Sequence, residues 1–121
     1  MTSDELLTCL KQFAYRIVTL SKSLPDNTEA KIIKSQILRS AFSAAANYRS
    51  ACKGYSKKAF GSKLGISFEE LDETVFWLEV ITDLNLIKKE RVQSLLEEGG
   101  ELCKILAKSL ITVKSAILNL K

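Results

Sequence analysis

The chain has no histidine, one proline and five glycines in 121 residues. Without histidine there is no imidazole base for thiol catalysis, no nitrogen ligand for a typical zinc site, and no Glu-x-x-His set for a di-iron bundle. Cys9, Cys52 and Cys103 are widely spaced with no C-x-x-C pair, so they read as small reduced core residues. Sparse proline and glycine leave little punctuation, which favours long helices over many short strands. No apolar run approaches the ~20 residues that cross a bilayer. The opening MTSDELLTCLKQ is acidic and lacks the basic start of a secretory signal. A cytoplasmic protein with no cofactor, no metal and no membrane partner is the expectation.

Acid is missing too, but only locally. Residues 31–68 carry eight basic side chains and no Asp or Glu, whereas residues 69–101 have a net charge of −7. Residues 102–121 return to +4, and residues 1–30 sit at −1. Such blocks can neutralise one another inside a bundle or build a one-sign patch for a partner. An apolar content of 46% with 26% charged residues suits a single folded domain over residues 1–121.

Four segments show the helical apolar period. The first follows Leu6, Leu10, Phe13, Ile17, Leu20 and Leu24, with Thr2 and Glu5 as a capping box and Pro25 as its end. The second runs from about Thr28 to Lys53 on Ile33, Ile37, Ala41, Ala44, Tyr48 and Ala51, with Gly54 as its stop. Ser56 caps a third, striped by Phe60, Leu64, Phe68, Leu71, Val75, Leu78 and Thr82 and ended by Asn85. Gly61 and Gly65 weaken its first turns, which suggests that a close neighbour needs the space. The fourth starts near Lys88 and follows Val92, Leu95, Gly99, Leu102, Leu106, Leu110, Val113, Ile117 and Leu120, with an irregular or frayed point expected at Gly99-Gly100. Long helices joined by short turns predict an all-α, antiparallel up-down-up-down four-helix bundle.

Two helices carry a second apolar row. Leu38, Phe42 and Ala46 lie away from the Ile37 stripe, and Ile66, Trp77 and Val80 lie roughly opposite Leu71. Leu38, Phe42, Trp77 and Val80 are therefore candidate interface residues for self-association, against the alternative of helices buried on two sides in a monomer. The Ala/Ser run from Ser40 to Ala46 suits close approach of two surfaces.

The acidic run FEELDETVFWLE offers a different chemistry. Glu69, Glu70 and Glu73 resemble half of a magnesium site in all-α nucleotide pyrophosphatases. The second half, an ExxD pair on a later helix, is absent: Val80 stands three positions before Asp83, the only later Asp. An enzyme is not expected. A hairpin turning near Tyr55 instead brings positions totalling about 111 face to face. Arg39 then comes level with Asp72 and Glu73, with Glu70 nearby, as a structural ion pair. Arg49, Lys53, Lys57, Lys58 and Lys63 gather near the bundle end as candidate nucleic-acid contacts, with Tyr48 and Tyr55 interleaved as possible stacking rings. The plainer reading is a solvated helix end that favours cations near its C-terminus.

The stretch S-x-x-LRS-x-x-S-x-AANYR-x-AC (Ser35 to Cys52), followed by Ser56, Phe60, Lys63-Leu64-Gly65-Ile66 and EE-x-DE-x-x-FWLE (Glu69 to Glu79), closely resembles a known family. It is that of the four helix bundle proteins named for intervening sequences in bacterial 23S ribosomal RNA genes. The resemblance implies a small cytoplasmic bacterial bundle, commonly a homopentameric ring. A related branch, the accessory variability proteins of diversity-generating retroelements, works with a reverse transcriptase and binds nucleic acid. No catalytic residues carry over. Arg39, Asn47, Arg49, Glu70, Glu73 and Trp77 match the motif, whereas the F-x-x-L-x-V-W entry of many members is missing. The expectation is a non-enzymatic homo-oligomer that binds RNA, DNA or a nucleoprotein through residues 31–68. The alternative is a structural or protein-interaction ring.

Overall fold

The computed structural model describes residues 1–119, so Leu120 lies outside the described residues. Four helices account for nearly all of them: α1 (Ser3–Ser21), α2 (Thr28–Cys52), α3 (Lys57–Asp83) and α4 (Lys89–Asn119). The first three starts have a local cause. The Thr2 hydroxyl accepts from the Glu5 amide while Glu5 accepts from the Thr2 amide, which closes a capping box. The Asn27 and Ser56 side chains accept from the amides of Ala30 and Ala59. Asn85, with φ of 55°, ends α3 in a left-handed turn, and the Leu86 amide donates back to the Ile81 carbonyl at 3.0 Å. That is a Schellman closure.

The helices pack in ring order α1–α2–α3–α4–α1, with α2 and α3 sharing the largest contact and α1 and α4 the smallest. Cross-helix pairs give the directions. The Ser67 hydroxyl donates to the Ala44 carbonyl at 2.6 Å and Ser40 meets Thr74 at 2.8 Å, so α3 descends as α2 rises. Gly61 lies against Val113 and Gly99 against Val75, Arg16 of α1 bonds Glu98 of α4, and Ser23, just past the end of α1, bonds Arg91 of α4. Each of these neighbouring pairs is antiparallel.

The α2 stripe and the α1 stripe through Leu20 are buried as their spacing requires, with Phe13, Ile17, Ile37 and Ala41 at 1% exposure or less, while Leu24, past the end of α1, is half-buried. On α3 the buried line is Leu64, Ser67, Leu71, Thr74, Leu78 and Ile81, rotated from the apolar stripe. Phe68 and Val75 are only half-buried. Small hydroxyl residues take the innermost positions because each finds a hydrogen bond on α2, and their size lets α2 approach. Each hydroxyl has one proton, so Ser40 and Thr74 share the cross-helix bond while the other proton goes to a carbonyl of its own helix.

Three expectations need correction. The fourth helix is continuous through Gly99-Gly100. Gly99 is buried there, and a Cβ on it would stand 2.9 Å from Val75 Cγ2 and 3.1 Å from the Phe13 ring. It is a notch for those two side chains, not a break. The second helix does stop just before Gly54, but Gly54 does not take the left-handed conformation usual for such a stop. A side chain there would stand 3.1 Å from the Ala51 carbonyl and the Phe60 amide, so closeness selects glycine. The first helix stops at Ser21, four residues before Pro25.

Candidate nucleic-acid interface

Arg39 stands at the edge of the α2–α3 seam. One terminal nitrogen donates to Glu70 at 2.7 Å and the other to Glu73 at 2.6 Å. Those acids are three residues apart on α3, one turn, so a single planar guanidinium spans both. The Trp77 indole N–H donates to the same Glu73 oxygen at 3.1 Å. Burial alone would raise the Glu73 carboxyl, but the hydrogen bonds from Trp77 and Arg39 and the guanidinium charge outweigh it and hold the group below its ordinary value of 4.5. The same two carboxylates raise the Arg39 guanidinium.

Asp72 is not part of this cluster. One residue before Glu73, it lies about 100° around the helix from it, on the exposed side; burial, with the Asp72 charge as a lesser cause, pushes the Cys103 thiol up to about 11. The first half of the magnesium pattern is likewise taken up, since Glu70 and Glu73 are both held by Arg39. Among the described residues no group of three acidic or thiol side chains gathers to hold a metal ion.

Arg39 is 47% exposed and Glu73 33% exposed, so water screens the cluster. Arg39→Ala should therefore cost only about 1 kcal/mol, more than a fully exposed pair because two carboxylates lose their shared partner. A depressed carboxyl stabilises the fold fully above its unfolded value and loses that contribution as pH falls through the folded value. Urea midpoints of the wild type should thus drop from pH 7 to pH values below 4.5, and the drop should be smaller in Arg39→Ala. Equal acid sensitivity in both proteins would contradict the role given to the cluster.

Arg49, Lys53, Lys57, Lys58 and Lys63 are all exposed. They lie on the last turn of α2, the connecting turn and the first two turns of α3, and among the described residues none forms an ion pair. Arg49 and Lys53 complement the negative C-terminal end of α2. Lys57 and Lys58 do the reverse: they begin α3, whose first turn has no acid, and they add to the positive end of its dipole. Cation and dipole together build positive potential at one end of the bundle. A shallow groove of about 490 Å³ runs there between Ser3, Cys52, Tyr55, Lys57 and Phe60.

The two tyrosines separate. Tyr55 is fully exposed beside these lysines, free to stack on a base. Tyr48 is 4% exposed and part of the core; burial, with Cys52 next to it, pushes its phenol up to about 12. It cannot stack. Cys52 is exposed, against the expectation of three core thiols, because it falls on the outer side of α2 at its last turn.

The candidate interface residues also divide. Leu38, Trp77 and Val80 pack partly buried against the core of their own chain. Phe42 is 42% exposed, with the Tyr15 ring 6.3 Å away. Phe76, 52% exposed and edge-on to Trp77, was missed by the stripe reading. Its position on the wheel, outside both the core row and the Trp77 row, was the available signal.

A family model described as 23S rRNA-intervening sequence protein matches residues 6–108. Among solved structures the chain is similar to a protein of unknown function from the S23 ribosomal protein family of Bacteroides thetaiotaomicron. The two are 34% identical over 91% of this chain and 98% of that one, with a TM-score of 0.81. No curated protein matches. Among the described residues no helix is long and apolar enough to cross a membrane.

Proposed function

The chain belongs to the 23S rRNA-intervening sequence protein family, and from that premise we propose that it is a non-enzymatic, cytoplasmic, homo-oligomeric bundle that binds RNA or a nucleoprotein through basic residues of segment 31–68. Five exposed cations without a carboxylate partner among the described residues support this reading, two of them at a helix start where they oppose the dipole. A chain gains nothing in stability from Lys57 and Lys58 there, whereas a phosphate would be drawn to the charges and the helix end together. Tyr55 adds a ring at the same end. If copies assemble as a ring, as the resemblance implies, this end repeats around a rim. The engagement of Glu70 and Glu73 by Arg39 favours a non-enzymatic role over a metal-dependent hydrolase.

Phosphate contacts position without reading sequence, so binding should show strong salt dependence and little base preference. A structured RNA titrated with the wild type should shift at about 50 mM salt and release steeply toward about 200 mM. No shift at the lower salt would replace this reading by a second one, a protein-interaction ring. That alternative draws on the exposed aromatic rings of Phe42 and Phe76.

A further inference from the structure

Two helix faces of opposite charge have no ion-pair partner across helices among the described residues. Beyond the family match, which ends at residue 108, the outer side of α4 carries Ile111 and Leu118, 68% and 65% exposed. Lys108 and Lys114 flank them on that side, and no acid occurs in residues 102–119. Lys104, further back on the same side, is already bridged to Glu101. On α3 the outer side carries Phe76, 52% exposed, among exposed Glu69, Asp72, Glu79 and Asp83. Asp72 is the acid that Arg39 does not reach.

The stripes match in length: Ile111 to Leu118 and Asp72 to Glu79 each cover two turns, about 10 Å. They cannot meet within one chain. Val113 and Leu110 lie against Gly61 and Gly65, roughly 20 Å along α3 from Phe76, and both stripes face outward.

We infer that the Ile111–Leu118 stripe of α4 docks on the acidic Phe76 face of α3 in a second copy of this chain. The contact rests on the proposal that the chain self-assembles. It joins unlike surfaces, so it is heterologous and either closes a ring or extends a filament. Opposed charges around apolar anchors set its register and steer encounter.

The test is a charge exchange followed by sedimentation velocity, with the RNA-contacting lysines untouched. Lys108→Glu/Lys114→Glu and Asp72→Lys/Glu79→Lys should each weaken assembly by about tenfold or more, and an equimolar mixture of the two should recover near wild-type assembly. Ile111→Ser/Leu118→Ser, at exposed positions that leave the fold intact by circular dichroism, should weaken it likewise. A mixture no better assembled than its components overturns the contact, as does an unchanged serine variant or a wild type that stays monomeric up to about millimolar concentration. Assembly that survives these changes but dissolves on Phe42→Ser also overturns it. A failed RNA shift beside a successful mixing rescue sinks only the RNA reading.

Discussion

Lys53→Glu/Lys57→Glu/Lys58→Glu should lose RNA binding by at least about a hundredfold at about 150 mM salt, and its salt slope should fall by about 2–3. Each cation that meets a phosphate releases a condensed counterion, and three of the five candidate contacts disappear together. The three new carboxylates then repel the same phosphates. Fold is not the casualty, because all three side chains are exposed and unpaired among the described residues. At the start of α3 the change even favours folding, since glutamate suits a helix N-terminus where lysine does not. Thermal unfolding should therefore stay level or rise while the gel shift vanishes. A variant that binds as well as the wild type would remove this end of the bundle from any nucleic-acid role. One that loses binding only because it unfolds would contradict the electrostatic account.

The largest stability effect is expected at Phe13. Its side chain is 1% exposed, and its ring edge fills the notch left by Gly99 on α4. α1 and α4 share the smallest helix contact of the bundle, so few neighbours stand ready to fill the space. Phe13→Ala should cost about 3–5 kcal/mol, transfer and cavity together, against a total of about 5–15 kcal/mol for a domain of this kind. Urea denaturation reads this as a lower midpoint with an unchanged slope. A loss below about 1 kcal/mol would mean that α4 collapses onto α1 and that the notch is not a fixed feature.

Much of the bundle was legible because its signals are local. The 3.6-residue period of Ile33, Ile37, Ala41, Ala44, Tyr48 and Ala51 needs no tertiary information, and all six are buried. Thr2 with Glu5, Ser56 and Asn85 act through their own backbone neighbours, so their roles as caps and stop could be read from spacing. The Arg39 cluster was half legible. Hairpin register brought Arg39 level with the acids, but register does not say which way each carboxylate faces around α3. Glu70 and Glu73 face the seam, whereas Asp72 is exposed on the outer side of α3.

By itself the sequence determined four helices, their order and caps, a cationic block without acids, and the motif that places the chain in its family. These depend on residue type and short spacing alone. Tertiary structure decided what depends on the space between elements. It set Gly99 as a notch, not a break, because the space belongs to Val75 and Phe13. It placed Ser67 and Thr74 innermost on α3, because hydrogen bonds to α2 compensate their burial. It left Tyr55 fully exposed beside the lysines, because that ring falls on the turn that leaves α2.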